Sequence, residues 1–195
     1  MNMLSASCMY VFPGIASYDP VFIFMNEKTP EERERIEKAW LKAEKISGKQ
    51  IRIVLADDDN DDRELFKEAV EEAALNINLD FAEDGRCLLN LLNNEKHIPD
   101  LIFLDLNMPH KNGMECLAEI RKNINLKNVP VIIYSTSSSI KDIDESYNLG
   151  ANLYVKKPSS FNELKTITGK VLSLDWNKYK PHASRNMFLF SSKTE

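Results

Sequence analysis

The chain has 195 residues, a formal net charge of -5, 43% hydrophobic residues and 28% charged residues, which describes a soluble globular protein of one domain plus extensions. Its acidic balance supplies no general basic field, so nucleic acid is not an expected partner. Cys8, Cys87 and Cys116 are odd in number, scattered and without a CxxC spacing, which argues against a disulfide scaffold or a structural zinc site and fits a reducing cytoplasm.

From Met1 to Met25 the chain is apolar, but Pro13-Gly14 and Asp19-Pro20 interrupt it and no lysine or arginine precedes Lys28. A secretory signal needs a basic start and an unbroken apolar run, and a membrane span needs about 20 apolar residues in succession. The segment reads as a poorly structured extension, with no membrane partner. Thr29-Pro30-Glu31-Glu32 then resembles a helix start, with a capping oxygen, proline in the first turn and acids beside it. Ile36, Ala39, Trp40, Ala43 and Ile46 follow at helical spacing, in a charged run that ends near Ser47-Gly48. It is either a solvated linker helix or a surface for a partner, and residues 1–49 form an N-terminal extension.

From Gln50 short apolar runs alternate with helical stretches. The runs 51–56, 77–81, 101–104, 131–134 and 153–155 have strand length and composition. Helix candidates lie between and after them at about 61–74, 85–94, 113–122, 139–149 and 160–174. The first, third and fourth runs are almost wholly apolar, as central parallel strands covered on both faces must be. Asp84-Gly85 and Asn112-Gly113 sit where the second and third helices begin, and Gly150 sits where a left-handed cap should close the fourth. These signals predict an α/β open sandwich of five β/α units over residues 50–176. The tail 177–195 is polar apart from Met187 to Phe190 and has no assigned structure.

In such a sheet, ligands bind beyond the carboxyl ends of the strands. The first strand ends in Asp57-Asp58-Asp59, the third in Asp105, the fourth in Ser135-Thr136, and Lys156-Lys157-Pro158 follows the fifth. Carboxylates crowded there must take up protons or share a cation. Mg2+ suits them, because it accepts one or two carboxylates, keeps waters and shares phosphate oxygens. A hydroxyl and an ammonium at neighbouring strand ends complete a site for phosphoryl transfer.

These residues resemble the motifs of the response-regulator receiver domain, the phosphoacceptor module of two-component signalling. Ile53-Val54-Leu55-Ala56-Asp57-Asp58 resembles the strand ending in an acidic pair, and Leu104-Asp105-Leu106-Asn107-Met108-Pro109 resembles the phosphorylation loop. Ile132-Ile133-Tyr134-Ser135 matches the strand ending in a hydroxyl, and Gly150 through Pro158 is similar to the run with an aromatic switch residue and a lysine before proline. The resemblance implies a flavodoxin-like fold with a parallel five-stranded sheet in the order 2-1-3-4-5. It implies that Asp105 is the phosphoacceptor and that Asp58, Asp105 and the Asn107 carbonyl ligate Mg2+, with Asp57 acting through water. Lys157 would bind a phosphoryl oxygen, Ser135 would hydrogen-bond the phosphoryl group, and Tyr154 would change rotamer in response. Asn107 and Ser137 occupy positions that tune the lifetime of the phosphoryl group in the family.

Each residue also has a plainer reading. The acids after the first strand could cap a helix, Ser135 could be a strand-end hydroxyl, and Tyr154 could be core packing. Asp57, Asp59, Asp61 and Glu68 match part of a calcium-loop template, but Asp62 stands where glycine is required. The flanking segments 1–49 and 177–195 are too short for a familiar output domain. The expectation is therefore a cytoplasmic single-domain response regulator, not an enzyme acting on other substrates, although it assists its own phosphorylation and dephosphorylation. Its partners would be a sensor histidine kinase or histidine phosphotransfer protein, a downstream protein target, and a second copy through the face of helix four and helix five. The alternatives are a receiver-fold interaction module that is never phosphorylated and a DNA-binding regulator. The latter has little support, because the N-terminal charged run mixes Glu with Lys and Arg.

Overall fold

The computed structural model describes Thr29 and residues 50–72, 76–93, 98–176 and 188–190. The expected charged helix and the apolar segment before it lie outside the described residues, as does His97. In chain order the elements are β1 (Ile51–Ala56), α1 (Asn60–Glu72), β2 (Ile77–Ala82), α2 (Gly85–Leu92), β3 (Leu101–Leu104), α3 (Gly113–Lys122), β4 (Val131–Ser135), α4 (Ile140–Asn148), β5 (Leu153–Lys156), α5 (Phe161–Leu172) and β6 (Leu189–Phe190).

The strands form one parallel sheet in the order β2-β1-β3-β4-β5-β6. The expected order 2-1-3-4-5 holds, and a short sixth strand from the tail extends it beyond β5. Strand alternation divides the core in two. Val54, Ala56, Ile102, Leu104 and Ile133 pack with Leu88, Leu92, Leu117 and Ile120 of α2 and α3. Ile53, Leu55, Phe103 and Ile132 pack with Phe66, Ala69 and Val70 of α1 and with Leu164, Ile167 and Val171 of α5. Because each central strand is covered on both faces, its residues are all buried, which is why the sequence shows apolar runs and no alternation.

Polar side chains set where the helices start, and so where the loops at the carboxyl edge run. Asp84 accepts from the Cys87 N–H at 2.7 Å, and Asn112 and Glu115 make a reciprocal capping box on α3. Ser139 and Ser160 cap α4 and α5. Asp59 accepts from the Asp61 and Asp62 N–H groups at 2.8 and 3.3 Å and so fixes the first turn of α1. Gly150 has φ 92, the left-handed conformation expected of it after α4. Cys116 is buried and burial pushes its thiol up to about 11, while Cys87 is half-buried. No helix among the described residues is long and apolar enough to cross a membrane.

Candidate functional site

The carboxyl ends of β1 and β3 are neighbours in the sheet, with Ala56 opposite Leu104. The residues that follow them, Asp57 and Asp105, are therefore side by side, and the Asp105 N–H donates to the Ala56 carbonyl at 2.9 Å. Carboxylate oxygens of Asp57, Asp58 and Asp105 all lie within 4.8 Å of one another. Asp57 is fully buried, Asp105 is 4% exposed, and Asp58 opens to solvent. Two buried acids and one exposed acid give a cluster open to solvent on the Asp58 side.

Lys157 enters from the far side of β4. Its N–H donates to the Ser135 carbonyl at 2.8 Å, which anchors the start of the loop after β5 and directs the side chain across to the acids. Its Nζ lies 2.7 Å from Asp57 Oδ2, 2.9 Å from Asp105 Oδ2 and 2.7 Å from Asp62 Oδ2. The Lys157 side chain is only 7% exposed, and the Tyr134 ring lies beneath its ammonium at 5.6 Å. Burial works against the ammonium, but the three carboxylates outweigh it and hold the Lys157 pKa above its ordinary value. Burial likewise pushes the Asp57 carboxyl up to about 6, even with Lys157 drawing it down.

Asp57 Oδ2 is buried and has the Lys157 ammonium 2.7 Å away. Its other oxygen accepts from the Asp59 N–H at 3.1 Å. A buried carboxylate oxygen that shares its one ammonium neighbour with Asp62 and Asp105, beside the carboxylates of Asp58 and Asp105, belongs to a set of hard ligands with the chemistry for a divalent cation of the magnesium or manganese kind.

Asn107 lies close, because its N–H donates to Asp105 Oδ1 at 3.2 Å and fixes the carboxylate from the loop side. Ser135 is fully buried at the end of β4, where its Oγ accepts from the Ser137 N–H at 3.4 Å. The Tyr154 ring is fully buried in the core beneath α4, and its hydroxyl donates to the Ser137 carbonyl at 3.0 Å. Core packing and contact with the loop beyond Ser135 thus belong to the same side chain. Lys156 is exposed, as is His110.

Two residues at or near the site were not assigned from sequence. Asp62 is the third carboxylate on Lys157, although its position in the first turn of a helix has an ordinary reading as a dipole partner. Phe188 packs against Tyr154 from the tail, where one apolar stretch was the available signal.

The response regulator receiver domain family matches residues 53–168, a span of more than half the chain. Response regulator Rcp1 of Synechocystis sp. is 34% identical over 117 residues, which cover 57% of this chain and 80% of that protein. The crystal structure of the Mn(2+)-bound form of Rcp1 superposes with a TM-score of 0.60 at 31% identity, covering 68% of this chain and 99% of that one. The phosphorylated cyanobacterial phytochrome response regulator RcpA gives a TM-score of 0.61 at 32% identity, covering 67% of this chain and 96% of that one. The doubly covered parallel sheet agrees with these matches, and the chain belongs to the response regulator receiver domain family.

Proposed function

We propose that this chain is a single-domain response regulator that accepts a phosphoryl group on Asp105 from the phosphohistidine of a sensor histidine kinase or a histidine phosphotransfer protein in the cytoplasm. The observation that carries the reading is the convergence of Asp57, Asp58, Asp105 and Lys157 at one sheet edge, with Asp105 presented by both Lys157 and the Asn107 N–H.

A carboxylate oxygen of Asp105 attacks phosphorus, the phosphorus–nitrogen bond of the donor breaks, and the donor ring, already protonated on its other nitrogen, takes the bonding pair and leaves as neutral imidazole. Lys157 keeps its charge throughout, since its three carboxylate neighbours favour the ammonium. It shifts donors from Asp105 to a phosphoryl oxygen, and the Ser135 hydroxyl supplies a further hydrogen bond. Asp57, Asp58, Asp105 and the Asn107 carbonyl would hold Mg2+, which offsets the phosphoryl charge when bound. The same groups serve hydrolysis, in which water attacks phosphorus, the bond from the Asp105 oxygen to phosphorus breaks and inorganic phosphate leaves, so the protein assists its own phosphorylation and dephosphorylation.

Tyr154 carries the change outward through the Ser137 carbonyl to the face of α4, β5 and α5, where a downstream protein or a second copy would bind. Intact mass after incubation with acetyl phosphate and Mg2+ tests the reading. A gain of one phosphoryl group, labile to hydroxylamine and absent both from Asp105→Asn and from a chelated sample, is expected. No gain from acetyl phosphate or from a phosphohistidine donor would overturn it.

A further inference from the structure

A strand at the edge of a sheet leaves a row of backbone groups without partners. Within the family-matched span that edge is β5, and in this chain it is covered by β6, which lies beyond residues 53–168. Tyr154 is paired with Leu189 and Val155 with Phe190 in parallel register, and the Tyr154 N–H donates to the Phe188 carbonyl at 2.7 Å. Phe188 is 3% exposed, with its ring set edge-on to Tyr147 at 5.1 Å and to Tyr154 at 6.2 Å. Phe190 packs against the opposite core, that of α1 and α5. A backbone ladder with aromatic anchors on either side is how an extended peptide is recognised by strand addition. The peptide here belongs to the same chain.

The consequence runs through Tyr154. Its ring is fully buried, and its hydroxyl holds the carbonyl of Ser137, two residues beyond Ser135. Phe188 closes one side of the pocket in which that ring lies. The docked segment, the buried ring and the held loop therefore support one another as one local unit of structure.

We infer that the β5 edge, with the cleft between Tyr147 and Tyr154, is a docking surface for the Phe188–Phe190 segment of this same chain, and that its docking and phosphoryl binding at Asp105 favour each other. The coupling rests on the reading of Asp105 given above. A phosphoryl group uses the Ser135 hydroxyl, and the docked segment keeps Tyr154 beneath the loop that presents it. By linkage, each event strengthens the other by the same factor. When the segment leaves, the β5 edge is open to an extended strand from another protein, so the state of Asp105 governs access to that edge.

Hydrogen exchange at the Tyr154 amide of the full-length protein reads the docking, with the Leu55 amide of β1 as a check that the fold is intact. Phe188→Ala is expected to speed exchange at Tyr154 by about tenfold. Leu189→Ala, which alters a side chain 53% exposed, is expected to change it little. Beryllofluoride with Mg2+, an inert mimic of the phosphoryl group, is expected to slow Tyr154 exchange in the wild type and to bind Phe188→Ala roughly fivefold more weakly by fluorine NMR.

Equal Tyr154 exchange in wild type and Phe188→Ala, or equal acceleration by Leu189→Ala, would overturn the docking. Beryllofluoride that binds both proteins equally well, or leaves the Tyr154 amide unchanged, would overturn the coupling. If the wild type binds no beryllofluoride, the Asp105 reading fails and the coupling with it, while the Phe188 comparison still decides the docking.

Discussion

The ammonium of Lys157 has three hydrogens to donate, and three carboxylates stand at ion-pair distance from it. They differ in what their loss would leave behind. Asp62 has a side chain 35% exposed, so Asp62→Asn removes a pair that water already screens and should change stability by less than about 1 kcal/mol. Removing Lys157 instead leaves Asp57 and Asp105 buried together without their cation, and Lys157→Ala should cost about 3 kcal/mol in the presence of a chelator. Urea unfolding of the two variants checks the ranking, and added Mg2+ should recover part of the Lys157→Ala loss and almost none of any Asp62→Asn loss. Equal costs, or no recovery by the cation, would contradict the electrostatic account. Asp57, Asp58, Asp105, Ser135 and Lys157 were legible in sequence because each stands directly at or after the end of an apolar run. Asp62 was not, because its partner is 95 residues away and a helix dipole accounts for an acid in that turn equally well.

Gly113, at the first position of α3, shows how an element holds the site in place. A Cβ there would lie 2.1 Å from the Asp105 carbonyl oxygen, and the Gly113 N–H donates to the Leu106 carbonyl at 3.1 Å. The helix start and the Asp105 loop are therefore in direct backbone contact, with no flexible side chain to give way. Gly113→Ala should destabilise the protein by about 2 kcal/mol and slow phosphorylation by acetyl phosphate, because the loop carrying Asp105 must shift. Gly169→Ala is the contrast, since a Cβ in that part of α5 meets nothing within 4 Å. Alanine there should add about 0.5–1 kcal/mol through helix propensity. Urea midpoints for the pair, with initial phosphorylation rates, check both signs. The five β/α units were legible because buried parallel strands must be continuously apolar and the helix caps are short polar side chains at fixed offsets. The strand β6 was not, because two residues carry no periodicity and its strand geometry comes from the edge it pairs with.

For the molecule as a whole, the acidic cluster links folding, protons and metal. In the metal-free protein the Asp57 pKa is about 6 against an ordinary 3.8, so between those values the folded chain binds more of a proton there than the unfolded chain. The sign follows: this carboxyl costs the fold nothing when protonated in both states, and stability falls as pH rises through the folded value, by an amount on the order of 3 kcal/mol. A divalent cation at the cluster needs the deprotonated form and binds the folded chain, so it acts against that loss. At a concentration of about 100 times its dissociation constant it should add about 2.7 kcal/mol. The difference in unfolding free energy between Mg2+ and chelator should therefore grow from about pH 4 to about pH 6 and then level off. Chemical denaturation in paired buffers measures it, and Asp57→Asn should flatten the dependence. A difference that is constant across this range, or that shrinks as pH rises, would mean that Asp57 is not the group through which metal and protons compete.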